Sequence, residues 1–190
     1  GEQNYDTARD YYEISARQNN PLAFLMLGNL YYNGHGVRKD YLKAKEFYEL
    51  SAKQNDSNAF CNLGNLYLNG LGVKQDYSIA IKYYELSAKN NNQQALSILV
   101  DVYFFGKFGF KQSFSKAKEY LEVLCNLNDS EAFNKLGLMY EYGHGVTKNY
   151  EKARMYYDLG SKQNNSYAIV NLGNIYLKGL GCPIDYPRAK

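Results

Sequence analysis

Any chemistry in this chain would have to draw on two histidines, His35 and His144, and three cysteines, Cys61, Cys125 and Cys182. Each histidine sits between two glycines, in a slot that Leu71 and Leu180 fill elsewhere. A metal ligand or a general base does not exchange with leucine, so the slot predicts neither metal binding nor catalysis. The cysteines share no common register and read as small buried hydrophobes rather than redox groups. Gly34-His35-Gly36 is too short to cradle a phosphate and follows no strand. Two series of polar residues remain: Asp40, Asp76, Ser113, Asn149 and Asp185, and Asn20, Asp56, Asn92, Asp129 and Asn165. Asp, Ser and Asn exchange freely within them, which a catalytic or metal-binding carboxylate does not tolerate. A residue accepting a hydrogen bond from a free backbone N–H does, so all ten are expected to be helix N-caps, each worth about 1 kcal/mol over alanine. The chain is not expected to be an enzyme, and no cofactor or metal is expected.

The elements that place these residues follow from repetition. Ala23, Ala59, Ala95, Ala132 and Ala168 recur at intervals of 36 or 37 residues, as do Leu27, Leu63, Leu99, Leu136 and Leu172. Tyr31, Tyr67, Tyr103, Tyr140 and Tyr176 share the spacing, and so do Gly34, Gly70, Gly106, Gly143 and Gly179. Ala23, Leu27, Leu30 and Tyr31 lie on one face of a helix, and Tyr41, Ala44, Tyr48 and Ala52 on one face of a second. Glycine ends the first helix, where left-handed backbone is easy only without a Cβ. Pro21 takes the first helical position of its unit. The spacing predicts a half unit at 1–19, units at 20–55, 56–91, 92–128 and 129–164, and a partial unit at 165–190, in one continuous domain.

With 45% hydrophobic and 22% charged residues, a packed core is attainable. No run is long and apolar enough to cross a membrane, so membrane insertion is not expected. The first ten residues are polar and carry no secretory leader pattern, and with unpaired cysteines this favours a reducing, cytoplasmic setting. A net charge of +3 gives little support to a polyanionic partner. The 21 tyrosines fit gaps between helices, where a ring is buried and its hydroxyl reaches a polar partner. A hairpin of this size cannot bury its apolar face alone and must stack on its neighbours. The expected fold is all-α: a right-handed superhelical solenoid of stacked antiparallel helical hairpins.

Residues 23–52 read A-x-x-x-L-G-x-L-Y-x-x-G-x-G-V-x-x-D-Y-x-x-A-x-x-F-Y-x-x-S-A. This pattern resembles the Sel-1-like repeat, a relative of the tetratricopeptide repeat, and the resemblance covers essentially the whole chain. A tetratricopeptide unit would have a shorter period and no G-x-G-V turn, as at Gly70-Leu71-Gly72-Val73 and Gly143-His144-Gly145-Val146. The resemblance implies a non-catalytic scaffold or adaptor that binds a protein or peptide. Some secreted bacterial members carry a disulfide in each repeat, and the scattered cysteines here do not fit that subclass.

In related solenoids the first helix of each hairpin lines the concave side. Positions opposite the Ala23–Leu27–Tyr31 face are then expected to form a groove: Leu25, Asn29, Tyr32; Cys61, Asn65, Leu68; Ser97, Asp101, Phe104; Asn134, Leu138, Glu141; Val170, Asn174, Leu177. Asparagines in the middle column could clamp a peptide backbone, and the third column could hold its apolar side chains. The third unit departs from its siblings, with Val100 in a glycine position, one extra turn residue and the run Tyr103–Phe110. Phe104, Phe105 and Phe108 there are either an exposed hot spot or larger fillers around Val100. Three Asn-x-Ser sequons, at Asn55, Asn128 and Asn164, fall in the inter-repeat turn, where capping already selects those residue types. An RNA-binding helical repeat is disfavoured, because the groove columns contain Asp101 and Glu141 and no Lys or Arg. A regulatory or targeting arm of a larger enzyme or signalling protein is the nearer alternative. The chain opens and stops within second helices, which points to a longer array.

Overall fold

The computed structural model describes residues 4–180. Among these there are ten α-helices and no strand: α1 (Tyr5–Arg17), α2 (Pro21–Asn33), α3 (Tyr41–Ala52), α4 (Ser57–Asn69), α5 (Tyr77–Ala88), α6 (Gln93–Phe105), α7 (Phe114–Asn126), α8 (Ser130–Tyr142), α9 (Tyr150–Ser161) and α10 (Ser166–Leu177). The chain divides into two compact units, Gly1–Ala95 and Leu96–Lys190. In the first, α2 pairs with α3 and α4 with α5, while α1 packs on α2 and α3 on α4. In the second, α8 pairs with α9, flanked by α7 and α10. The fold class is all-α, built of helical hairpins.

Local chemistry accounts for where each helix begins. Asn20, Asp40, Asp56, Asp76, Asn92, Ser113, Asp129, Asn149 and Asn165 each accept a hydrogen bond from a backbone N–H in the first turn that follows. Asp185 lies outside the described residues. The residues capping second helices also close their hairpins. Their own backbone N–H donates to a first-helix tyrosine carbonyl: Asp40 to Tyr31 (2.9 Å), Asp76 to Tyr67 (3.0 Å), Ser113 to Tyr103 (2.7 Å) and Asn149 to Tyr140 (2.9 Å).

The turns between repeats hold a signal that the spacing alone did not explain. Asn19, Asn55, Asn91, Asn128 and Asn164 all have φ between 56° and 63°. Asparagine enters this left-handed region more easily than other residues bearing a Cβ, so the asparagine of every sequon has a backbone reason to be there. The second glycine of the G-x-G turn also does more than tighten it. A Cβ on Gly36, Gly72 or Gly145 would lie 2.6, 2.8 or 2.5 Å from the Cβ of Tyr5, Tyr41 or Phe114. Its absence lets each turn sit directly on the start of the preceding second helix.

The core of a standard hairpin turns on one glycine and one tyrosine. Tyr48, Tyr84 and Tyr157 are at most 1% exposed. A Cβ on Gly28, Gly64 or Gly137 would stand 2.5, 2.7 or 2.3 Å from their ring Cε1 atoms. The ring thus fills the space a side chain would take. In the third hairpin Val100 occupies the glycine register and Leu121 the tyrosine register, both fully buried. The valine is matched by a smaller partner on the facing helix.

Candidate interaction surface

The middle column of the first helices meets the buried tyrosine hydroxyls. In the first unit, Tyr48 Oη donates to Asn29 Oδ1 at 2.9 Å, and Asn62 Nδ2 reaches the same oxygen at 3.3 Å. Tyr84 Oη donates to Asn65 Oδ1 at 2.7 Å. Burial pushes the Tyr48 and Tyr84 phenols well above the usual range, so both remain donors. An asparagine clamp holding a ligand through both ends of its amide is therefore corrected. The Asn29 carbonyl accepts twice inside the stack and the Asn65 carbonyl once, so these half-buried side chains offer chiefly their amide N–H groups.

Leu25 is also corrected as a groove residue. It is 4% exposed and belongs to a core cluster with Tyr48, Leu63 and Leu66. A first helix in a stack is touched by its own partner and by neighbouring hairpins, so the face opposite its partner on a helical wheel is not all solvent. Cys61 (1%) and Asn134 (7%) are buried in the same register, and Asn134 Oδ1 accepts from Asn171 Nδ2 at 2.9 Å. Tyr32 and Leu68 are half-buried, with Tyr32 meeting Tyr41 edge-on at 5.4 Å.

In the second unit the column changes its partners residue by residue. Leu138, half-buried, cannot accept from Tyr157, and Glu141 one turn on does so instead at 2.7 Å. Glu141 is 7% exposed, so it is corrected from a groove carboxylate to a structural acceptor. Tyr157 is pushed far up, first by burial and then by Glu141. With leucine at 121 there is no hydroxyl for Asp101 to receive. Its carboxylate instead binds Lys107 at 2.8 Å and Lys135 at 3.2 Å. Burial raises its pKa, but the two ammonium groups outweigh burial and hold it below the usual carboxylate value. Asn174 and Leu177 on α10 are exposed.

The aromatic run of the third hairpin is partly outward. Phe104 is half-buried and makes ring contacts with Phe105 (4.9 Å), Phe114 (5.2 Å) and His144 (6.5 Å). Phe105 is 56% exposed and Tyr142 57%. Phe108 lies between the turn glycines Gly106 and Gly109, in the turn that is one residue longer, and its backbone is left-handed at φ 57°. A bulky side chain there stores about 1–2 kcal/mol of strain. Both histidines act as plates over the preceding helix start: His35 stacks on Tyr5 at 4.7 Å and His144 on Phe114 at 4.8 Å.

Among the described residues no group of His, Cys, Asp and Glu side chains could hold a metal ion. No helix there is long and apolar enough to cross a membrane. Burial pushes the Cys61 thiol up to about 11, and burial with the nearby Asp129 and Glu122 carboxylates pushes Cys125 up to about 12. Both are protonated at neutral pH and are poor nucleophiles.

A family model described as Sel1 repeat matches residues 1–20, 22–56, 58–92, 93–129, 130–165 and 166–190. The chain belongs to the Sel1 repeat family. Proteins built from Sel1 repeats are generally helical scaffolds for protein interaction, typically without catalytic function. Two solved structures carry the comparison. A protective antigen of uropathogenic Escherichia coli displaying an SLR fold, c5321, is 28% identical with a TM-score of 0.91, over 98% of this chain and 40% of that one. A Sel1 repeat protein from Oxalobacter formigenes is 29% identical with a TM-score of 0.86, over 96% of this chain and 77% of that one. This chain therefore spans about two fifths of the Escherichia coli protein. Cysteine-rich protein B of Helicobacter pylori, at 24% identity and a TM-score of 0.50 over 71% of this chain and 96% of that one, shares the fold alone. No curated protein matches the chain.

Proposed function

We propose that this Sel1 repeat chain is a non-catalytic adaptor that binds a protein or peptide along the exposed edge of its first helices. The carrying observation is a division of labour within each hairpin. Glycine, tyrosine, alanine and cap positions are held by contact, as is Glu141, while the rest of the third column changes from Tyr32 to Leu68, Phe104 and Leu177. In the second unit this edge presents Phe105 and Tyr142, both more than half exposed, beside Phe104. Clustered aromatic side chains of this kind supply most of the binding energy at protein interfaces. Within the first unit, Asn29 and Asn65 contribute amide donors to a ligand's carbonyls; within the second, Asn174 presents an entire amide. Membership of a larger protein, in which the array is a regulatory or targeting arm, is compatible with the same contacts.

The test is a screen of peptide arrays with the whole chain, followed by titration of the hits. For hits held by the second unit, Phe105→Ala and Tyr142→Ala should each weaken binding by roughly tenfold, and for hits held by the first, Asn29→Ala and Asn65→Ala by less. Hits whose affinity is indifferent to all four changes would place the binding surface elsewhere.

A further inference from the structure

A second surface, in the first unit, has the opposite character. A recess of about 660 Å³ opens between the α2–α3 turn and the start of α3, lined by the cations of Arg38, Lys39 and Lys43, the Asp40 carboxylate and the apolar Val37 and Leu42. Arg38, Lys39 and Lys43 are exposed, and among the described residues the ion pairs of this unit engage Arg9 and Lys45 instead. The one carboxylate in the lining, Asp40, accepts from Lys43 N at 3.0 Å as the cap of α3 and offsets one of the three cations, which leaves two positive charges in excess. Two of the cations are held in place rather than left to sweep through solvent. Lys43 Nζ lies 5.1 Å from the centre of the Tyr31 ring, itself stacked on Phe47, and Lys39 Nζ lies 5.9 Å from that of Tyr41. Ammonium groups steadied over aromatic rings lose less freedom when an anion arrives.

The second unit contains a counterpart that shows what this recess has to spare. There Lys152 lies 5.1 Å over Tyr140 in the registers of Lys43 and Tyr31, within a recess of about 520 Å³. Its lining also includes Glu119, and its Lys118 is paired with Glu122. The lining of the second-unit recess, with two lysines and one carboxylate, keeps one net positive charge, where that of the first, with three cations and one carboxylate, keeps two.

We infer that the Arg38–Lys39–Lys43 recess binds an acidic peptide segment of a protein partner, with carboxylates on the three cations and an aliphatic side chain against Val37 and Leu42. Arg38 can take a carboxylate with two parallel N–H donors. Leu42, 60% exposed, and Val37 give the rim an apolar contact that a nucleic-acid backbone does not use. The Tyr31 and Tyr41 rings already carry cations, which leaves them unsuited to stacking on a base. Three cations also fall short of the run of phosphate contacts on which nucleic-acid affinity depends.

The experiment titrates the whole chain into a fluorescein-labelled peptide of glutamate pairs separated by leucines, against the same peptide with glutamines. Binding is expected for the acidic peptide alone and should weaken as salt rises. In R38A/K39A/K43A it should weaken by roughly tenfold or more, while K118A/K152A should leave it unchanged. Far-UV spectra and melting midpoints establish that each variant is folded, and K43Q, which keeps its stem on Tyr31, carries the test should the triple variant unfold. Equal binding of the glutamine peptide, undiminished binding by the triple variant, or an equal loss in K118A/K152A overturns the assignment. So does displacement of the peptide by a single-stranded oligonucleotide at lower charge concentration, which reassigns the recess to nucleic acid. The first-helix edge is tested by different variants, Phe105→Ala and Tyr142→Ala, so either surface can fail without the other.

Discussion

The second hairpin, α4–α5, and the third, α6–α7, solve one packing problem in two ways. In the second, Gly64 admits the Tyr84 ring, and the hydroxyl that comes with the ring is received by Asn65. In the third, Val100 and Leu121 take the two apolar registers, and Asp101, with no hydroxyl to receive, turns to Lys107 and Lys135. The fourth hairpin keeps the glycine and tyrosine but has Leu138 in the acceptor register, so Glu141 supplies the oxygen. Three positions therefore behave as one unit: small residue, ring, acceptor. A buried hydroxyl without an acceptor costs about 1–3 kcal/mol, which is enough to couple them.

The largest expected effect comes from breaking that unit at its most crowded point. Gly64→Val drives a branched side chain into the Tyr84 ring and should lower stability by about 3 kcal/mol, read as the urea midpoint by far-UV dichroism. G64V/Y84L imports the third hairpin's solution and should recover more than half of the loss. A double variant no better than the single would mean that the two registers are not coupled. Next comes Tyr157→Phe, which removes a donor from a buried carboxylate and should cost about 2–3 kcal/mol. Tyr84→Phe removes a donor from a half-buried amide and should cost only about 1 kcal/mol. Equal losses at the two sites would show that Glu141 behaves no differently from Asn65.

The smallest effect sharpens the third hairpin. The Asp101 pKa is lower in the folded chain than in the unfolded one, so its ion pairs add stability above the unfolded value of about 3.9, and that contribution fades as pH falls through the lower folded value. The side chain is 35% exposed, so solvent screening keeps the contribution under about 1 kcal/mol. The melting midpoint of D101N should trail the unaltered chain by a constant margin from neutral pH down to about 5, and the margin should close below about pH 4. A margin that persists in acid would assign the loss to packing instead.

How much could be read without coordinates depended on the range of the interaction. Caps such as Asp40 and Asp129 act on an N–H within the same turn, so their spacing from the apolar face was a sufficient signal. The exposure of Leu25 was not legible, because it is set by α4, the first helix of the next hairpin. Asn29 and Asn65 look the same in sequence whether they await a ligand or serve Tyr48 and Tyr84. A signal did exist: the exchange of Gly for Val at 100 accompanies that of Tyr for Leu at 121. Comparing the repeats in pairs of columns, rather than one column at a time, would have found it.

By itself the sequence determined the period, the helices and their ends, and the all-α hairpin class, because these depend on hydrogen bonds and apolar spacing within a few residues along the chain. Only the tertiary structure decided which polar groups face each other, that Glu141 is an internal acceptor, and that Arg38, Lys39 and Lys43 line one recess against the single carboxylate of Asp40. Those outcomes depend on distances between helices, and a one-dimensional pattern carries such distances only through pairs of positions that change together.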